Sequence, residues 1–200
     1  MISNFVKATD LGTATSATTL SGTHIDIGIV DTFDRADNTS LGANWTEVSG
    51  TWDIATNKLK ISTHGSGNDI ATYDPKLGNN PTADYDVQVT VNIAGTVGGA
   101  GVVGRYVDTN NYYFVILNTF SQDIKLYKRV GGTNTQIGST YTGGYTNNID
   151  YVVKLRMVGT ALSVYVDGTL RISGTDSSLT AVGKPGVMAD SANRTFDDFS

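Results

Sequence analysis

Cysteine is absent from the 200 residues, which removes disulfide frameworks, thiolate zinc sites, iron–sulfur ligation and every cysteine nucleophile. A chain without cysteine suits either redox environment. Proline occurs three times, histidine twice and glutamate once, at Glu47, and charged residues make up only 16%. The formal charge of −5 is spread along the chain, and the few Lys and Arg residues form no basic run that could track a phosphate backbone. No nucleic-acid partner is expected. No stretch approaches the roughly 20 apolar residues of a membrane-spanning helix, and the opening MISNFVKATDLG lacks the apolar run of a secretory signal. Neither a membrane partner nor an export signal is expected.

What is plentiful is glycine, at 23 residues, together with Thr, Val, Asn, Asp and Tyr, the chemistry of strands and turns rather than helices. A chain of this length fits one domain and buries roughly 70% of the surface it exposes when unfolded. Residues 1–28 are rich in Thr, Ser, Ala and Gly without apolar periodicity and are expected to form an arm, ordered on a partner or disordered in isolation. Residues 29–200 are expected to form a sandwich.

The sandwich is predicted from short alternating runs separated by turn residues. The strands expected, in order, are Val30–Phe33, Thr51–Ile54, Lys58–Thr63, Asp69–Tyr73, Tyr85–Ile93, Gly101–Tyr106, Tyr112–Asn118, Ile124–Arg129, Gln136–Tyr141, Tyr151–Val158, Ala161–Val166, Leu170–Ser173, Gly186–Ala189 and Thr195–Phe199. Asn57, Gly78-Asn79-Asn80, Asp108–Asn111, Gly131-Gly132, Gly143-Gly144, Asn147-Asn148 and Asp167-Gly168 supply turns. The glycines at 98, 99 and 101 read as an inter-strand turn, and a short helical turn is expected near Ser177–Ala181. In Asp86–Ile93 the valines and Ile93 share one face while Gln88, Thr90 and Asn92 share the other.

The run from Asp31-Thr32-Phe33-Asp34-Arg35-Ala36-Asp37 through Leu41-Gly42 to Trp45 resembles the opening of concanavalin A-like, laminin-G-like jelly-roll domains. Gly50–Ile54, Gly101–Tyr106 with Asn111–Tyr113, Leu162–Gly168 and the closing Thr195–Phe199 resemble later features of that family in the same order. The resemblance implies an all-β, two-sheet antiparallel jelly roll with its last strand beside its first. Such domains occur in bacteriophage structural proteins and in secreted bacterial carbohydrate-active proteins. Two functions follow as expectations. The first is a virion surface protein, a capsid decoration or fibre component, contacting other virion proteins through the arm, assembling as a homo-oligomer and holding surface glycans. The second is a carbohydrate-binding module of a secreted protein.

Catalysis is not expected. Glycanases of this fold place paired carboxylates at alternate strand positions, whereas Glu47 stands alone and Asp84-Tyr85-Asp86 reads as a solvated strand start. Asp197 and Asp198 are adjacent and so point to opposite faces. His24 lies in the arm and His64 in a turn, and both read as surface residues rather than general bases.

For a glycan, aromatic rings beside hydrogen-bonding groups are the features to seek. Arg105, Tyr112, Tyr113 and Tyr127 are the candidates, expected on consecutive strands, although both faces of Tyr112–Leu117 are apolar and half must be core. Trp45 and Trp52 are expected to pack inside. The resemblance also implies a calcium site at Asp197 near the first strand, which would need about six to eight oxygen ligands. An ordinary turn with a surface ion pair at Asp34, Arg35 and Asp37 is the other reading.

Overall fold

The computed structural model describes residues 31–74, 82–95, 97–143 and 145–200. The arm expected over residues 1–28, Val30 of the first expected strand and the Gly78-Asn79-Asn80 turn lie outside the described residues. Fourteen strands are present: β1 (Trp45–Glu47), β2 (Thr51–Ile54), β3 (Leu59–Thr63), β4 (Asp69–Tyr73), β5 (Tyr85–Ile93), β6 (Gly99–Asp108), β7 (Asn111–Asn118), β8 (Asp123–Val130), β9 (Thr133–Tyr141), β10 (Asp150–Val158), β11 (Ala161–Val166), β12 (Thr169–Thr175), β13 (Lys184–Ala189) and β14 (Arg194–Asp197). They form two antiparallel seven-stranded sheets, ordered β1-β4-β13-β6-β7-β8-β9 and β12-β11-β10-β5-β14-β3-β2.

Alternation along the strands dictates this stacking. Val87, Val89, Val91 and Ile93 of β5 are buried against Tyr113, Val115 and Leu117 of β7, and Leu155, Met157, Leu162 and Val164 join the same core. Each such side chain contributes roughly 1.5–3 kcal/mol on leaving water. Trp52 is fully buried, and Trp45 packs among Phe33, Tyr73 and Phe199 with ring centroids 4.9–5.7 Å apart. Both tryptophans are thus packing residues.

The ends of the sandwich meet as the resemblance implied. Asp31 N–H donates to the Phe199 carbonyl (3.1 Å) and Phe199 N–H to the Asp31 carbonyl (2.9 Å). The opening motif holds this closure. The Asp31 carboxylate accepts from the Phe33 amide (2.8 Å), from both ends of the Arg35 guanidinium (2.7 and 3.2 Å) and from the Trp45 indole (2.8 Å). The pocket beside this motif, about 290 Å³ and lined by Asp31, Arg35, Asn44, Trp45 and Tyr73, therefore has its main polar atoms already engaged.

Three local expectations are corrected. β6 starts at Gly99, two residues before the strand start expected at Gly101, so Gly99 and Ala100 are strand residues and not a turn. A Cβ at Gly101 would collide with the Val115 carbonyl of β7, so glycine there permits close strand approach. The segment 177–181 carries no helix. It is irregular, because its backbone and Asp176 are spent on core-side partners: Tyr113 donates to Asp176 (2.8 Å), Leu179 N–H to the Tyr113 hydroxyl (3.2 Å) and Arg105 to the Leu179 carbonyl (2.9 Å). β1 was not expected; it is three residues long and is fixed by pairing with β4 rather than by its own pattern.

Candidate functional site

A second apolar cluster lies on the opposite side of the first sheet from the core. Ile70 of β4, Met188 of β13, Val103 of β6 and Tyr112, Phe114 and Ile116 of β7 are all buried, with Val48, Tyr106 and Tyr127 packed around them. All its strand residues belong to the sheet containing β7. An outward face of this composition calls for an explanation, because antiparallel sheets usually turn polar residues to solvent. The rings form a continuous ladder: Tyr106 to Tyr112 at 5.7 Å, Tyr112 to Phe114 at 5.6 Å, and Phe114 stacked on Tyr127 at 5.1 Å with 17° between planes.

Loops overhang this face. The Val48 and Ser49 amides both donate to the Ile70 carbonyl (2.8 and 3.3 Å), the Ser49 hydroxyl donates to the Asn68 carbonyl (3.2 Å), and the Asn68 amide reaches across to the Tyr112 hydroxyl (3.3 Å). Between this overhang and the far edge lies a cleft of about 290 Å³, lined by Ser49, Ser66, Gly67, Asn68, Ile70, Thr109, Tyr112, Arg129 and Asn134. Arg129 forms its far wall. Its Nε donates to the Thr109 carbonyl (3.0 Å) and its Nη1 to the Asn134 side-chain oxygen (3.0 Å). Burial pushes the Tyr112 hydroxyl above the usual phenol range, against the opposing pull of its Asn68 bond and of Arg129. It stays protonated and able to donate at any physiological pH.

The structure divides the four expected glycan residues. Tyr112 lines the cleft and Tyr127 extends the aromatic face beside it. Arg105 and Tyr113 are fully buried on the core side and cannot meet a ligand there. Tyr113 points inward by simple alternation with Tyr112. Arg105 does so because β6 is irregular at this point: its register with both β7 and β13 shifts, and Arg105 itself adopts φ +46°. A bulge of this kind re-aims a side chain. The guanidinium is used up by the Ala83 and Leu179 carbonyls (2.8 and 2.9 Å) and Asp84 (3.3 Å). Burial outweighs other influences on Tyr113 and pushes its hydroxyl up to about 12.

Asp197 is held by Lys58 at 3.1 Å, and the Asp31 carboxylate is engaged by Arg35 and Trp45. Among the described residues no three His, Cys, Asp or Glu side chains gather around a point that could hold a metal ion. The residues present do not fit the calcium site implied by the resemblance. His64 is not a free surface residue: its Nδ1 lies 2.5 Å from Asp69, a fully buried carboxylate that also accepts from the Gly65 amide (2.9 Å). The pair anchors the loop that carries Ser66 to Asn68. Asp84 and Asp86 are structural as well, Asp84 binding Arg105 and the Gly159 amide (2.7 Å) and Asp86 standing beside Lys154 and Arg156. Sequence reasoning missed Asn68, Arg129 and Asn134, whose polar character in turns and at a strand end carries no signal by itself.

No protein-family profile matches the chain, and no curated protein matches it in sequence. Solved structures do match in shape. The carbohydrate-binding module CBM66 from Bacillus subtilis superposes with a TM-score of 0.68 at 21% identity, over 81% of this chain and 97% of that one. The carbohydrate-recognition domain of Emp46p matches at 0.59 and 10% identity, over 86% and 94%. This chain has the fold of the concanavalin A-like jelly rolls. The same jelly-roll shape also matches a GH43 protein, BlXynB from Bacillus licheniformis, at 0.62 and 16% identity, but this chain spans only 38% of that longer protein.

Proposed function

We propose that this jelly roll is a non-catalytic carbohydrate-binding module of an extracellular protein, with its ligand on the open face of the first sheet. The observation that carries the reading is the cleft itself. A small concavity, its floor closed by the buried Tyr112 and Ile70, is rimmed by the amides of Asn68 and Asn134, hydroxyls of Ser49 and Ser66 and the guanidinium of Arg129. Sugar rings carry an edge of hydroxyls, and the amides, hydroxyls and guanidinium around this concavity offer it donors and acceptors. The volume sits at the lower bound of the roughly 300–1,000 Å³ typical of ligand clefts, which suits a short stretch of glycan. Among the described residues no carboxylate lines the cleft, whereas glycoside hydrolysis canonically uses a pair of them.

The virion reading draws its support from the resemblance and from the arm over residues 1–28, which lies outside the described residues. Homo-oligomerisation through that arm is a proposal on the same footing. Light scattering of the full chain and of a chain starting at Val30 tests both: an oligomer lost on truncation supports an assembling arm.

The glycan reading is tested by affinity electrophoresis of the full chain through gels containing neutral and acidic polysaccharides, alongside the exposed-site variant Asn134→Ala. Retardation by at least one polysaccharide, abolished in the variant, is the expected result. Unretarded migration through every gel would sink the proposal.

A further inference from the structure

The cations on the open face of the first sheet are not treated alike. Lys125, on the same face of β8, is held by Asp123 at 2.8 Å, and Lys184 at the β13 end is held by Asp74 at 3.2 Å. Arg129 has no such partner: among the described residues no carboxylate lies within 4.0 Å of its guanidinium, and its two bonds go to neutral oxygens of Thr109 and Asn134. Asp108, in the neighbouring turn, spends its oxygens on the Asn110 amide and the Asn111 side chain (2.7–3.0 Å). Among the described residues Nη2 and the second Nη1 proton are therefore left without an acceptor.

This is an uncompensated, partly buried cation in a chain of formal charge −5, in a cleft whose other lining groups are neutral. The two bonds it does make fix the plane of the guanidinium and leave its end free. A planar fork presented in this way matches a carboxylate, which takes two parallel N–H bonds and returns the missing charge.

We infer that the glycan bound in this cleft is anionic, its sugar carboxylate paired with Arg129. This rests on the glycan-binding reading and narrows it to uronate-bearing chains. Arg129 then decides specificity: a neutral sugar in the same place leaves the guanidinium unpaired and loses the charge-assisted bonds.

The test uses chemistry on the ligand, so that the protein need not be altered. Polygalacturonate, alginate, glucuronan and hyaluronan, each with its carboxyl-reduced neutral counterpart, are titrated into the full-length protein by isothermal calorimetry. At least one acidic polymer binds, its reduced form about tenfold or more weaker, and the affinity falls with added salt. Arg129→Met abolishes the preference for the acidic form and Arg129→Lys keeps part of it, with unchanged thermal melting as the check on folding. Equal or tighter binding of the reduced polymers overturns the inference and leaves the glycan-binding reading standing. No binding to any acidic or neutral polymer overturns both.

Discussion

The two sheets turn very different faces away from their shared core. On β5 of the second sheet the outward residues are Asp86, Gln88, Thr90 and Asn92, half-buried and polar, with Lys154 and Arg156 of β10 set against Asp86. On β7 of the first sheet the outward residues are Tyr112, Phe114 and Ile116, all buried. β5 has the alternation of a strand wet on one side. β7 is apolar on both, and the same fold uses one sheet as a lid and the other as the floor of a cleft. Over Ile70 and Tyr112, part of that burial comes from the overhanging segments around Ser49 and Asn68.

The largest expected effect tests that difference directly. Phe114→Ala should destabilise the protein by roughly 3–5 kcal/mol, as for a core phenylalanine, while Thr90→Ala on the opposite sheet stays within about 0.5 kcal/mol. Urea unfolding measures both, and a Phe114 variant as harmless as the Thr90 one would mean that the first sheet's outer face is ordinary surface.

A second contrast sets the neighbours Tyr112 and Tyr113 against each other. On the core side, burial tends to raise the Asp176 carboxyl, but Lys128, the Ser178 amide and the Tyr113 hydroxyl outweigh it and hold the group down at about 2. A carboxyl depressed when folded contributes stability above its unfolded value of 3.8 and loses it as pH falls toward 2. Melting temperatures between pH 4 and 2 should therefore fall less steeply in Asp176→Asn than in the parent. An identical slope would show that the Asp176 bonds add nothing.

The smallest effect belongs to the cleft. Tyr112→Phe removes only the hydroxyl that Asn68 reaches and should cost about 1 kcal/mol, with hydrogen exchange quickening in residues 64–68 rather than in β7. Exchange changing in β7 instead would place the hydroxyl's role in the sheet and not in the overhang.

Much of the fold was legible because alternation is a local signal. Thr51–Ile54, Asp69–Tyr73, Tyr85–Ile93 and Ala161–Val166 are strands with the bounds expected from the sequence. Most others differ by a few residues at their ends, where pairing partners and not propensity decide. The candidate site was half legible. Tyr112 and Tyr127 were named from their residue type and strand, but a run apolar on both faces does not say which half points inward. Arg105 was misplaced by a bulge, a non-local event in which β7 and β13 pair with β6 out of step. Asn68, Arg129 and Asn134 could not be foreseen, since β4 and β7 are separated by two intervening strands in the sheet and meet only through the reach of a loop.

The reciprocal bonding of Asp31 and Phe199 has a topological consequence. An antiparallel hydrogen-bonded pair holds its Cα atoms about 5.5 Å apart, so the polypeptide enters and leaves the sandwich at one point. The domain can thus be threaded into a surface loop of a host protein without prising that loop open. Joined end to end there, it can also be recut at the Asp167-Gly168 hairpin of the second sheet, none of whose residues lines the cleft, to give a permuted chain.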